Sequence, residues 1–188
     1  LVPGTCRLLI GPQYALLRPE FARLREYSLR RRQSPRLKRL LVTMGGVDRD
    51  NAAGKVLDAL RNCPLPDEVE IDVVVGSTAP WLERVREQAA TMPWPTRVLV
   101  NISDMARCMA EADLAIGAAG STSWERCCLG LPTLMMVLAE NQRSIAEALH
   151  SAGAGIMLGA SDDLLTLPER WAALVDTCLL YTSDAADE

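Results

Sequence analysis

"ADLAIGAAGSTSWERCCLGLP" (112–132) places an apolar run directly before five small residues, Gly117 to Ser121, and those directly before a helical pattern. A strand that ends in a glycine-rich turn and reopens as a helix is the local unit of an α/β fold, and glycine there lets a ligand approach the backbone. Ser121 and Thr122 stand where a side chain can cap the helix or hydrogen-bond a phosphate. Glu125, four residues after Ser121, falls on the same helical face. There it can accept hydrogen bonds from a pair of vicinal ribose hydroxyls, or simply favour the positive end of the helix dipole. Spacing alone leaves both readings open, because neither a GxGxxG nor a P-loop pattern is present.

Working outward, the same unit recurs. "RLKRLLVTM" (36–44) is an apolar run that ends in Gly45-Gly46, and 49–62 then carries apolar positions at helical spacing. Strand–helix pairs follow at 69–76 with 80–90, 97–101 with 104–112, 113–118 with 121–130, 132–138 with 141–153, and 155–159 with 162–176. Strands apolar throughout, alternating with helices, require a parallel sheet covered on both faces. The expected fold class is a doubly wound, Rossmann-like α/β domain.

The composition agrees. At 188 residues, 49% hydrophobic and 23% charged, the chain has the balance of one globular domain, and no apolar run is long enough to span a bilayer. A net charge of −4 offers no general attraction for nucleic acid. Arg30, Arg31, Arg32, Arg36, Lys38 and Arg39 form a local basic cluster, read as a solvated linker. Six cysteines without a CxxC pair, set inside apolar patterns, read as small buried hydrophobes in a reducing, cytoplasmic compartment. Adjacent Cys127 and Cys128 point to different sides of a helix, so no metal site is expected there. "LVPGTCRLLIGP" lacks both the basic region of a signal peptide and an initiator methionine, which suggests a fragment.

Residues 101–149 resemble the C-terminal nucleotide-binding half of GT-B proteins related to the peptidoglycan N-acetylglucosaminyltransferase. Three segments in order, "LIGPQYALLRPEF" (9–21), "TMGGVDRDN" (43–51) and "GAAGSTSWERCCLGLPTLMMVLAENQ" (117–142), resemble the UDP-sugar hydrolases of pseudaminic acid biosynthesis. The resemblance spans about residues 8–176. It implies a UDP-sugar substrate, with the Ile102 backbone on the uracil, Glu125 on the ribose, and Gly120, Ser121 and Thr122 on the diphosphate. It implies that Gly45 and Gly46 approach sugar or phosphate, where the residues alone allow a purely structural turn. Asn141 and Gln142 are implied to contact the donor sugar, where the residues alone allow helix capping; Ile145 stands where related transferases often carry Asn.

The water-activating histidine of such hydrolases lies in an N-terminal domain, so no catalytic residue is expected in this chain. His150, the only histidine, reads as an ordinary residue near a helix C-terminus. The expected organisation is a remnant of another domain at 1–12, a connection at 13–35, a UDP-binding domain at 36–178 and a non-native or disordered tail at 179–188. Two other readings share these residues: the donor half of a GT-B UDP-N-acetylglucosamine-type glycosyltransferase, and a nucleotide-sugar-binding module without chemistry.

Overall fold

Strands β1 (Arg39–Thr43), β2 (Glu70–Val75), β3 (Thr96–Val100), β4 (Leu114–Ala118), β5 (Thr133–Met136) and β6 (Ile156–Gly159) alternate with helices in the computed structural model, which describes Cys6 and residues 11–184. The helices are α1 (Pro19–Arg32), α2 (Ala52–Leu60), α3 (Leu82–Ala90), α4 (Met105–Glu111), α5 (Thr122–Cys128), α6 (Glu140–Ser151) and α7 (Leu167–Asp184). All strands pair in parallel, in the order β3-β2-β1-β4-β5-β6. Each of the six strand–helix units read from the sequence is present, and the sheet is doubly wound.

Period-two burial explains the two covered faces. Leu40, Val42, Leu114 and Ile116 share one core cluster with Val56, Leu57 and Leu60 of α2, Val85 of α3 and Trp171 of α7. Leu41 and Ala115 face the other way, against Phe21 of α1, Met109 of α4 and Leu129. Met135 packs with Ala146 and Leu149 of α6. The chain changes face between β3 and β4, so the connections after β1 and β4 diverge. Thr43 and Gly117, paired across those two strands, mark the switch point where ligands bind in open α/β sheets.

The basic run is not a solvated linker. Ser28 donates from Oγ to the Leu129 carbonyl at 2.6 Å, and Arg32 donates from Nη2 to the carbonyls of Met109 and Ala112 at 3.0 and 2.6 Å. Arg31 pairs with the buried Asp113 at 2.6 Å, and Arg39 bridges Glu70 and Glu111 at 3.1 and 3.0 Å. A flexible stem with a planar set of donors suits arginine to the leftover carbonyls of helix ends. Burial lowers the Arg32 pKa to about 10. Arg30 and Arg36 remain exposed, as the solvated reading expects. Thus α1 is fastened to the domain, although the sequence placed it in a connection.

At the other end, α7 continues to Asp184, past the boundary read at 178, while 185–188 lie outside the described residues, as do 1–5 and 7–10. Cys63 and Cys178 are buried, Cys108, Cys127 and Cys128 are half-buried and Cys6 is exposed, so burial of all six does not hold. Cys127 and Cys128 do pack into different clusters. Among the described residues no helix is long and apolar enough to cross a membrane.

Candidate functional site

The turns at the carboxyl ends of the strands are stitched into one ledge. Asn101, with φ +50°, accepts from the Ser77 N–H through Oδ1 at 3.0 Å, joining the turns after β3 and β2. The Gly76 N–H donates to the Gly46 carbonyl at 3.1 Å, joining the turns after β2 and β1. A Cβ on Gly76 would lie 2.1 Å from that oxygen, so only glycine permits the approach. Gln142 accepts from the Leu138 N–H at 3.0 Å, and its amide nitrogen is the nearest atom to a Cβ built on Gly120, at 3.8 Å. Gly120, Ser121, Thr122 and Gln142 therefore come together.

Helix α5 opens without a side-chain cap: Ser121 is exposed and makes no capping bond. Among the described residues, the N–H groups of Gly120, Ser121 and Thr122 have no hydrogen-bond acceptor. Glu125 turns toward Arg18, whose Nη2 lies 3.7 Å from its carboxylate, and its side chain is only 18% exposed. Burial pushes the Glu125 carboxyl above its ordinary value of 4.5, against the opposing pull of Arg18 and Arg126. A carboxylate half-withdrawn from water keeps the capacity to accept hydrogen bonds.

After β1 the arrangement differs. Gly45, at φ +91°, and Gly46 are exposed, and a Cβ on either would meet nothing within 4 Å. Asp48, at φ +41°, accepts from the N–H groups of Ala52 and Ala53 at 2.7 and 2.9 Å, and Asn51 accepts from Gly54 at 3.3 Å. The start of α2 is thereby saturated by its own side chains.

Ile102 follows β3 with its side chain in the cluster of Leu41 and Ala115, the face of the sheet that carries α4. Its N–H and carbonyl have no partner among the described residues. Asn141 is exposed in the first turn of α6, whose N-cap position is Ala139, so neither Asn141 nor Gln142 caps that helix. His150 lies away from the ledge. Its Nδ1 sits 3.3 Å from the Gly155 carbonyl, and it borders an apolar cavity of about 630 Å³ at the opposite, N-terminal end of β5 and β6. Among the described residues no group of His, Cys, Asp or Glu is arranged to hold a metal ion.

Arg18, Asp48 and Arg126 were missed in the sequence. Asp48 had a usable signal, a carboxylate shortly before a helical pattern, whereas Arg18 and Arg126 reach their places only through tertiary packing.

The Glycosyltransferase family 28 C-terminal domain matches residues 40–184. The spore coat polysaccharide biosynthesis protein SpsG of Bacillus subtilis is 33% identical over 162 residues, 86% of this chain and 46% of SpsG. The chain thus spans about half the length of that relative. In fold it is similar to MurG of Acinetobacter baumannii, with a TM-score of 0.66 at 19% identity over 97% of this chain and 53% of MurG. Anabaena Alr3699/HepE, solved in complex with UDP-glucose, gives a TM-score of 0.51 at 13% identity over 95% of this chain and 51% of its own. The sheet order and helix placement are those of a GT-B C-terminal half, and with residues 40–184 matched, the chain belongs to the glycosyltransferase family 28 C-terminal domain family.

Proposed function

We propose that this chain is the UDP-sugar-binding half of a GT-B glycosyltransferase. The observation that supports this reading best is the cluster of unpaired N–H groups at Gly120, Ser121 and Thr122 beside a half-buried Glu125, at the switch point of the sheet. The Ile102 backbone, unpaired on the same ledge, meets the uracil edge; Glu125 takes the ribose hydroxyls once Arg18 yields. Gly120, Ser121 and Thr122 receive the diphosphate, Gly45 and Gly46 approach it or the sugar through open space, and Asn141 and Gln142 read the sugar.

In transfer, the bond from the sugar to the diphosphate breaks and negative charge grows on the departing UDP. Donors already aimed at that position stabilise the charge without reorganisation. The chain's own part is to bind, orient and stabilise the leaving group, and the acceptor is activated by groups outside it. A second reading, UDP-sugar hydrolysis as in pseudaminic acid biosynthesis, rests on segments 9–21, 43–51 and 117–142 and uses the same donor site. The family match and the MurG-like fold favour transfer. The full-length protein separates the two: rapid UDP release without an acceptor means hydrolysis, and release only with one means transfer.

The donor site itself is tested by Glu125→Gln. Loss of a charge-assisted pair of bonds weakens UDP binding by roughly 1.5–3 kcal/mol, about 10- to 150-fold in titration calorimetry. Discrimination between UDP and 2′-deoxy-UDP should vanish with it. Unchanged affinity beside a lowered melting midpoint would reduce Glu125 to a helix-dipole partner, and equal affinity for UDP and ADP would remove the uracil from Ile102.

A further inference from the structure

Arg126 follows Glu125 on α5, yet its guanidinium runs inward, beneath the glycine-rich turn. The residue is 1% exposed. Nη2 donates to the Ala118 carbonyl at 2.7 Å and to Ser123 Oγ at 2.9 Å, while Nε and Nη1 have no hydrogen-bond partner. Nη1 lies where a Cβ on Gly117 would be, 1.9 Å from that ideal position, and Ala115 precedes Gly117 on the same face of β4. The missing side chain at Gly117 therefore makes the space that the guanidinium fills.

Charge is the unusual part. Burying an ion without a paired counter-charge is strongly unfavourable. Among the described residues no carboxylate forms an ion pair with Arg126; Glu125, the acidic neighbour it senses, is turned to Arg18. Burial lowers its pKa to about 10, which leaves it cationic at neutral pH. Arg32, the other buried arginine, lies close enough to the acidic Asp113 to be stabilised by it. Arg126 likewise feels Glu125 without forming an ion pair with it, and it stands under the turn whose N–H groups are unpaired.

We propose that Arg126 is a positioning residue for the diphosphate, a fixed counter-charge beneath the turn that also ties down the Ala118 carbonyl and so sets the donors of Gly120, Ser121 and Thr122. This rests on reading that turn as the diphosphate cradle. A cation enclosed by protein acts on an anion across the turn with less screening than a surface lysine.

The test titrates UDP and uridine into the wild type, Arg126→Met and Arg126→Lys. Uridine shares the base and ribose contacts and lacks the phosphates. Arg126→Met is expected to lose tenfold or more in UDP affinity with uridine within about threefold of wild type, and Arg126→Lys to keep most of the preference for UDP. Equal losses for UDP and uridine would make the role structural and overturn the inference, as would full UDP affinity in Arg126→Met. Should Arg126→Met not fold, Arg126→Lys decides: a folded lysine variant without the UDP preference overturns the role of charge. A wild type that binds UDP no better than uridine fails earlier, at the cradle itself.

Discussion

The turns after β1 and β4 sit side by side at the switch point, both rich in glycine, and they spend their polar groups in opposite ways. After β1, Asp48 and Asn51 satisfy the first N–H groups of α2, so whatever that turn offers a ligand comes from Gly45 and Gly46 ahead of the helix. After β4, no side chain caps α5, the carboxylate of Glu125 is turned aside, and an arginine is buried below. One turn is complete by itself. The other leaves the N–H groups of Gly120, Ser121 and Thr122 open, which the proposed diphosphate would satisfy, and it is those open donors rather than the glycine content that set the two turns apart.

The largest expected effect breaks the contrast at the glycines. Gly117→Ala sets a methyl where Nη1 of Arg126 lies, and a close-packed site must expel the guanidinium or move β4. A loss of about 3 kcal/mol in chemical denaturation is expected, at the upper end for overpacking. Gly46→Ala, with open space around it and no positive φ, should stay within about 0.5 kcal/mol of wild type. Equal stability of the two variants would mean that the buried arginine does not depend on Gly117.

A smaller effect separates cap from cradle. Asp48→Ala removes two bonds at the start of α2 and should cost about 1–2 kcal/mol of stability while UDP affinity holds. Ser121→Ala removes an exposed hydroxyl that caps nothing, so the melting midpoint should hold while UDP affinity falls about three- to tenfold. Reversed results would exchange the roles of the turns.

The sequence showed this edge unevenly. An apolar run, a glycine-rich turn and a helical period fall within "LAIGAAGSTSWE", so local spacing sufficed to place Gly120, Ser121, Thr122 and Glu125 on one turn. Arg126 was illegible for a physical reason: in a helical pattern an arginine reads as surface, and its burial depends on the absence of a side chain at Gly117 on a neighbouring strand. Arg18 reaches Glu125 across a long stretch of chain, through the docking of α1. That docking depends on Arg32 finding the carbonyls at the end of α4, whereas a run of basic residues shows only its charge. The inner strands β1, β2, β4 and β5 were legible because burial on both faces demands largely apolar residues, which the sequence records directly. The edge strands β3 and β6 are only partly buried and were legible from their place in the strand–helix alternation.

The smallest effect is a pH dependence that belongs to the β4 turn alone. Burial raises the Glu125 carboxyl above 4.5, so the folded protein holds that proton more tightly than the unfolded chain. The stability this contributes is complete below the unfolded value and is lost as pH rises through the folded one, so at neutral pH the ionised carboxylate stands at a cost to the fold. Glu125→Gln removes that cost and should not lower the melting midpoint at pH 7. Ribose binding runs the other way: ionised Glu125 accepts two hydroxyls, and protonation surrenders one acceptor and the charge. Affinity should therefore decline on acidification at a higher pH than an ordinary glutamate would allow. Uridine is the ligand to use, because a terminal phosphate titrates near pH 6 and would add its own slope. Wild type should weaken on acidification, beginning above pH 4.5, more steeply for uridine than for 2′-deoxyuridine, and Glu125→Gln should respond weakly to both. If the glutamine variant follows the wild-type slope, the titrating group lies elsewhere and the two turns differ less than their hydrogen bonds suggest.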